Sequence, residues 1–257
     1  TGSLNFGDTI NGDDNGNRLF GLGGDDILRG HNGDDVIVGG EGDDDIYGGD
    51  GDDNLDGGAG NDYFEGNDGD DIIAGGDGND RLYGHAGNDQ LIAGAGNDNN
   101  VRGGGGDDIV DGGAGNDTIH GDAGNDTLIG GTGNDVINGG TGDDIFVLGE
   151  NDGTDTITDT SGINTIVFGE NITRDKIWLT RQGNNLRIGI IGGDSVATVT
   201  GFYAGSSLIN KLQTAEGTLF INHAAVLGFI DDMTVESANA TPAEMSADMV
   251  SALADYW

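Results

Sequence analysis

Cysteine is absent from the 257 residues and proline occurs once, at Pro242. Without thiols the chain has neither disulfides nor thiolate-bound zinc. An extracellular domain ordinarily gains from disulfides, so their absence fits export of an unfolded chain straight from the cytosol, or residence there. Basic residues are scarce as well: 9 Lys plus Arg stand against 47 Asp plus Glu, a formal charge of -38. With no basic patch to neutralise phosphates, nucleic acid is excluded as a partner, and an anionic membrane surface would repel the chain. No run approaches the roughly 20 apolar residues of a membrane span. The opening Thr1-Gly2-Ser3-Leu4-Asn5-Phe6 lacks the basic and apolar regions of a signal peptide, and lacks Met, so a fragment of something longer is expected.

Catalytic constellations are missing too. There is no H-E-x-x-H, Walker A or dinucleotide loop. His31, His85 and His120 fall at turn or strand positions, and His223 stands apart. Gly193-Asp194-Ser195-Val196-Ala197 lacks the final glycine of a nucleophile elbow and lies in a strand pattern. No enzyme is expected.

What the chain has in abundance is glycine, 54 residues, together with carboxylate. That charge alone would describe a self-repelling, disordered polymer, were it not placed with a period of nine. Residues 21–29, 30–38, 39–47 and 48–56 share one pattern, G-G-x-G-[ND]-D-x-U-x with U apolar. The register holds to residue 92, resumes at 103 and runs to 147, giving about fifteen units. Glycines at positions one, two and four predict a tight turn over the first six residues, and x-U-x a short strand with only U facing inward. The inward column reads Leu28, Ile37, Ile46, Leu55, Phe64, Ile73, Leu82, Leu91, Val110, Ile119, Leu128, Ile137 and Phe146. Two units make an 18-residue coil. About seven coils, stacked about 4.8 Å apart, make a rod with two parallel sheets facing across the aliphatic column.

Position six is Asp at Asp26, Asp35, Asp44, Asp53, Asp62, Asp71, Asp80, Asp89, Asp98, Asp108, Asp117, Asp126, Asp135 and Asp144. Carboxylates stacked about 4.8 Å apart repel by about 1 kcal/mol even at the dielectric of water. One apolar residue in nine is too thin a core to overcome that, so the bare coil is expected to be unfolded. The partner of this much ordered carboxylate is a hard cation. Position five (Asp25, Asp34, Asp43, Asp52, Asp70, Asp107 and Asp143, with Asn elsewhere) is expected to face solvent. The pattern breaks twice. Asn17 replaces Asp at position six in residues 12–20. Residues 93–102 are ten long, with Asn99-Asn100 where x-U belongs, which predicts a bulge bringing Val101 into the column and makes the ion beside Asp98 an exception.

The nonapeptide resembles the calcium-binding repeat of the RTX (repeats-in-toxin) family. The resemblance implies an all-β, right-handed parallel β-roll holding roughly a dozen calcium ions. Each ion would take position-six carboxylates from neighbouring turns plus backbone carbonyls of the Gly-rich loops. The implied carbonyl donors are at positions one and three: Gly21, Gly23, Gly30, Asn32, Gly39, Glu41, Gly48, Asp50, Gly57, Ala59, Gly66, Asp68, Gly75 and Asp77. The series continues with Gly84, Ala86, Gly103, Gly105, Gly112, Ala114, Gly121, Ala123, Gly130, Thr132, Gly139 and Thr141.

After Val147 glycine thins, and five of the nine basic residues follow: Arg174, Lys176, Arg181, Arg187 and Lys211. Asp155-Thr156-Ile157-Thr158-Asp159 reads as a last degenerate coil, and residues 164–169 as a strand. Residues 176–181 and 186–190 read as a hairpin across Gln182-Gly183-Asn184-Asn185. The stretch 175–186, Asp194-Ser195-Val196 and Gly201-Phe202-Tyr203 resemble the flanking domain after RTX blocks of type I-secreted toxins and adhesins, above all that of the adenylate cyclase toxins. A solenoid needs its terminal coil covered, and Trp178, Phe202, Tyr203 and Phe220 are the expected plug. A helix is expected over 222–232. Another follows Thr241-Pro242-Ala243-Glu244, where Met245, Met249, Leu253 and Trp257 form a stripe that is either a secretion signal or a packed helix.

The expected divisions are a degenerate opening coil (1–11), the roll (12–147), a flanking cap (148–235) and a terminal linker and helix (236–257). The expected function is a calcium-binding domain unfolded at cytosolic calcium and folded outside the cell. It would support type I secretion of a larger bacterial toxin or adhesin, with the secretion apparatus as partner and a cell-surface receptor reached through the parent protein. An ice-binding or adhesive solenoid face is one alternative. Ice binding would need ranks of Thr and Asn at positions three and five, and position three holds Asp, Glu, Ala, Gly or Asn, with Thr only at Thr132 and Thr141. The tail of a secreted lipase or protease is the other alternative.

Overall fold

The structure is a computed structural model that describes residues 2–3, 6–205 and 208–221. The helices expected over 222–232 and beyond Thr241 lie outside the described residues. Among those described there are 23 strands and two single 3₁₀ turns, and no helix is long and apolar enough to cross a membrane.

Strands β1 (Thr9–Asn11) to β18 (Asn164–Phe168) wind as a solenoid. Odd strands stack in one sheet and even strands in the other, each pairing in parallel with the strand one coil on. Leu28 pairs with Ile46, and Ile46 with Phe64, so the register is 18 residues. The column expected from position eight, from Leu28 to Phe146, is fully buried. There are nine coils rather than about seven, because β1 and β2 (Arg18–Gly23) open the stack and β17 (Thr154–Thr158) and β18 extend it with Ile157 and Ile166. These last strands sit 20 residues beyond their partners, Ile137 to Ile157 and Phe146 to Ile166. One insertion of two residues, between Phe146 and Ile157, shifts both from the period of nine, which resumes from Ile157 to Ile166.

The strands are also longer than expected. β3 (Ile27–Asn32) and most of its fellows span six residues, positions seven to nine and one to three, and the turn is confined to positions four to six. Glycine at position one has no positive φ; positions two and four do. Gly96, at position four, has φ +153°, and a methyl there would overlap the Gly78 carbonyl oxygen of the preceding coil. Gly96→Ala is therefore expected to cost ~2–3 kcal/mol. Gly217→Ala, with nothing within 4 Å of the added methyl, should stay within about 0.5 kcal/mol. Thermal melts in saturating calcium compare the two.

The break at residues 93–102 is the predicted bulge. The register of β11 (Asn99–Gly105) shifts between Asn99 and Val101, Asn100 takes φ 66°, and Val101 is fully buried opposite Ile119.

The flank covers the stack by strand pairing. β21 (Val196–Val199) adds in parallel to β17, and β22 (Ile209–Thr214) adds in parallel to β18. Beyond them the pairing turns antiparallel, through β20 (Asn185–Ile190) and β19 (Ile177–Gln182) in one sheet and β23 (Gly217–Phe220) in the other. The β19–β20 hairpin is the one expected, turning at Gly183-Asn184. The plug is mostly aliphatic: Ile177, Leu179, Ile188, Val199, Leu212 and Leu219 continue the core column. Trp178 is buried, and Phe202 and Tyr203 pack partly buried against the column. Phe220 is not part of it, being 53% exposed. It ends an edge strand whose alternation turns Leu219 inward and Phe220 out.

Candidate metal centre

Each turn closes on its position-six aspartate, and stacking assembles these into two ladders. On one edge the backbone N–H of Asp26 donates to Asp44 Oδ1 at 2.7 Å, and Asp44 to Asp62 at 2.8 Å. The chain of bonds continues through Asp80, Asp98, Asp117 and Asp135 to Asp155. On the other edge it runs from Asn17 through Asp35, Asp53, Asp71, Asp89, Asp108, Asp126 and Asp144 to Asn164. The fourteen expected aspartates all take part, at no more than 2% exposure. Asp155 and Asn164 were not expected as ladder residues, since the 20-residue step removes them from the nine-residue register; the Asp-x-Ile spacing in Asp155-Thr156-Ile157 was the available signal.

One oxygen of each carboxylate is thus satisfied and the other is not. The Oδ2 atoms of all fourteen, Asp26 to Asp144, are buried without a hydrogen-bond partner. A native fold leaves few such atoms, and here they recur in every coil. Ten of these Oδ2 atoms face the position-one glycine of their own coil together with the position-one carbonyl of the next. A methyl on Gly48 would overlap Asp53 Oδ2 and come within 2.9 Å of the Gly66 carbonyl oxygen. The absent side chain leaves a hollow bordered by oxygens, which explains glycine there although its φ is ordinary. Ala93 is the exception among these units, bringing a buried methyl to the coil of Asp98. The position-three carbonyls are partly committed. Those of Glu41, Asp50, Ala59, Asp68 and Asp77 each accept the position-four N–H of the coil before, leaving one lone pair.

Position five faces solvent and forms an opposed ladder. Asp43 donates its N–H back to Asp25 Oδ1, Asn61 to Asp43, and Asn79 to Asn61. Asn residues add a side-chain bond, as from Asn61 Nδ2 to Asp43 Oδ1 at 3.1 Å.

Burial, opposed by the N–H bond each receives and augmented by neighbouring carboxylates, pushes ten of the ladder aspartates well above their ordinary 3.8. Asp44, Asp53, Asp80, Asp89 and Asp126 rise to about 6. Asp62, Asp71, Asp108, Asp117 and Asp155 rise to about 7. The sequence pointed to repulsion between stacked carboxylates as the deciding cost. Loss of solvent is the larger part of it, because each carboxylate is sunk below the outer rank of position-five residues.

Among the described residues no three His, Cys, Asp or Glu side chains converge on one point. Donors come instead as adjacent-coil carboxylates with backbone carbonyls, an all-oxygen set suited to a hard cation. The sequence profile of the RTX calcium-binding nonapeptide repeat, four copies long, matches residues 4–37, 29–64, 65–99, 98–128 and 120–152, more than half of the chain. The chain belongs to the RTX family. RTX nonapeptide repeats bind calcium, and the orphaned Oδ2 atoms above the glycine hollows fit that ion. No curated protein matches the chain. Among solved structures, the extracellular lipase LipA from Serratia marcescens is 22% identical, over 67% of this chain and 38% of the lipase, with a TM-score of 0.24. This chain therefore spans well under half of that lipase's length. His31 and His85 occupy position two with positive φ, and the Ser195 hydroxyl accepts the N–H of Asp152.

Proposed function

We propose that this RTX chain is a calcium-triggered folding module of a larger secreted protein. It stays unfolded at cytosolic calcium, passes through a type I secretion apparatus, and folds outside the cell as the roll (12–147) capped by the flank (148–235). The parent would be a toxin or adhesin, through which a cell-surface receptor would be met. One observation carries the reading: a buried carboxylate oxygen without a partner in each of fourteen stacked turns. The proposed side-chain ligands are the fourteen position-six aspartates, Asp26 to Asp144, joined by carbonyls of positions one and three. Calcium supplies the positive charge that makes these buried oxygens favourable; the chain supplies their spacing, their dryness and the hollow. Extracellular calcium modules bind at roughly 0.1–1 mM, between the calcium levels inside and outside a cell, so folding is gained by linkage only after export.

Equilibrium dialysis of the full chain against calcium tests this. Roughly a dozen ions per chain, bound over the range in which circular dichroism reports folding, are expected; two or three ions would sink the reading. Asp71→Asn, inside its edge between Asp53 and Asp89, should remove one or two ions and move the folding midpoint to higher calcium.

A further inference from the structure

The last half-coil breaks the nonapeptide rule in a compensated way. Phe146 pairs with Ile166, so the same 20-residue step places Asn164 opposite Asp144 at position six and Asp159 opposite Gly139 at position one. Carboxylate and small neutral residue have changed places: the coil carries an acid where others have glycine, and an amide where others have aspartate. All three of Asp144, Asp159 and Asn164 are fully buried.

Asn164 does the holding. Its Oδ1 accepts the Asp144 N–H at 2.7 Å, as a ladder aspartate would. Its Nδ2 donates to Asp159 Oδ1 at 2.6 Å, to the Ser161 carbonyl at 2.8 Å and to the Leu208 carbonyl at 3.1 Å. Asp159 Oδ1 also accepts the Ser161 N–H at 3.0 Å. So fixed, Asp159 turns its second oxygen toward Asp144, and a methyl on Gly139 would overlap Oδ2 of both. Asp144 Oδ2 is buried without a hydrogen-bond partner and aims into that hollow.

We infer that Asp144 and Asp159, above Gly139, form a calcium site outside the nonapeptide code, closing the edge and keying the roll to its flank. The inference rests on the reading of the ladder as calcium-binding. The tie to the flank comes from Asn164, which bonds Leu208 and donates its N–H to Asn210 Oδ1 at 3.0 Å, beside the β18–β22 pairing. An ion between Asp144 and Asp159 therefore braces the residue on which β22 is seated.

Calcium counts on the full chain test it. Asp159→Asn preserves size and should bind one ion fewer than wild type, with the thermal midpoint lowered in saturating calcium. An unchanged count overturns the site while wild-type binding leaves the ladder standing; a wild type that binds no calcium sinks the ladder reading instead. The double variant Asp159→Gly with Asn164→Asp restores the nonapeptide arrangement and serves if the single variant does not fold. A count equal to wild type supports the site, and a count higher by one shows that the natural pair held no ion.

Discussion

Exhaustive removal of divalent metal at pH 7.5 and low salt is expected to reduce the β signal in far-ultraviolet circular dichroism to that of a disordered chain. Restoring calcium to the millimolar range should bring it back in one steep step. The ladder sets the size of the effect. Holding one aspartate ionised where it titrates near 6, as Asp44 and Asp80 do, instead of at its ordinary 3.8 costs roughly 3 kcal/mol at neutral pH. A handful of such residues equals the ~5–15 kcal/mol that ordinarily separates folded from unfolded domains, and this chain has ten that titrate near 6 or 7. The single apolar column has no comparable reserve. Steepness follows from stacking, since each coil's turn is completed by the next. A roll that keeps its β signal after chelation would overturn this account of its stability.

Acid should replace metal. Ten of the ladder aspartates titrate near 6 or 7 in the folded chain and at their ordinary 3.8 when unfolded. Between those values the folded chain binds more protons, so its stability falls as pH rises. The contribution is fully present below about pH 4 and is lost as pH climbs through 6 and 7. In chelator, lowering pH from 7.5 to 4.5 is therefore expected to restore much of the β signal, the reverse of ordinary acid denaturation. With calcium present, the midpoint calcium concentration should rise as pH drops below about 6, as protons compete for the same oxygens. A metal-free chain equally disordered at both pH values would show that neutralising the buried carboxylates is not what folding waits for.

Much of this was legible because the pattern repeats. A side chain at every eighth position that recurs with period nine has only one place to go, and Leu28 to Phe146 went there, Val101 included once the extra residue before it was absorbed as a bulge. What stayed hidden depended on neighbours that a linear pattern does not display. Position-one glycine reads as turn chemistry, yet Gly48 lies in an extended strand and is glycine because Asp53 and Gly66 crowd it from another direction. The division of labour between Oδ1 and Oδ2 depends on an N–H 18 residues away. Asp159 was visible only as the end of a degenerate coil, because its meaning comes from Gly139 and Asn164 together. Phe220 was overvalued for the opposite reason: an aromatic beside a cap suggests a plug, but strand alternation at the sheet edge turned it outward.

The alternation of consecutive units between two sheets, described above as strand order, makes the rod a device for setting angle as well as distance. Eighteen residues more or less change only the separation of its ends, by about 4.8 Å. Nine more or less rotate one end half a revolution about the long axis relative to the other. Repeat number, counted odd or even, therefore decides on which side of the axis the β19–β20 hairpin faces relative to the first coil.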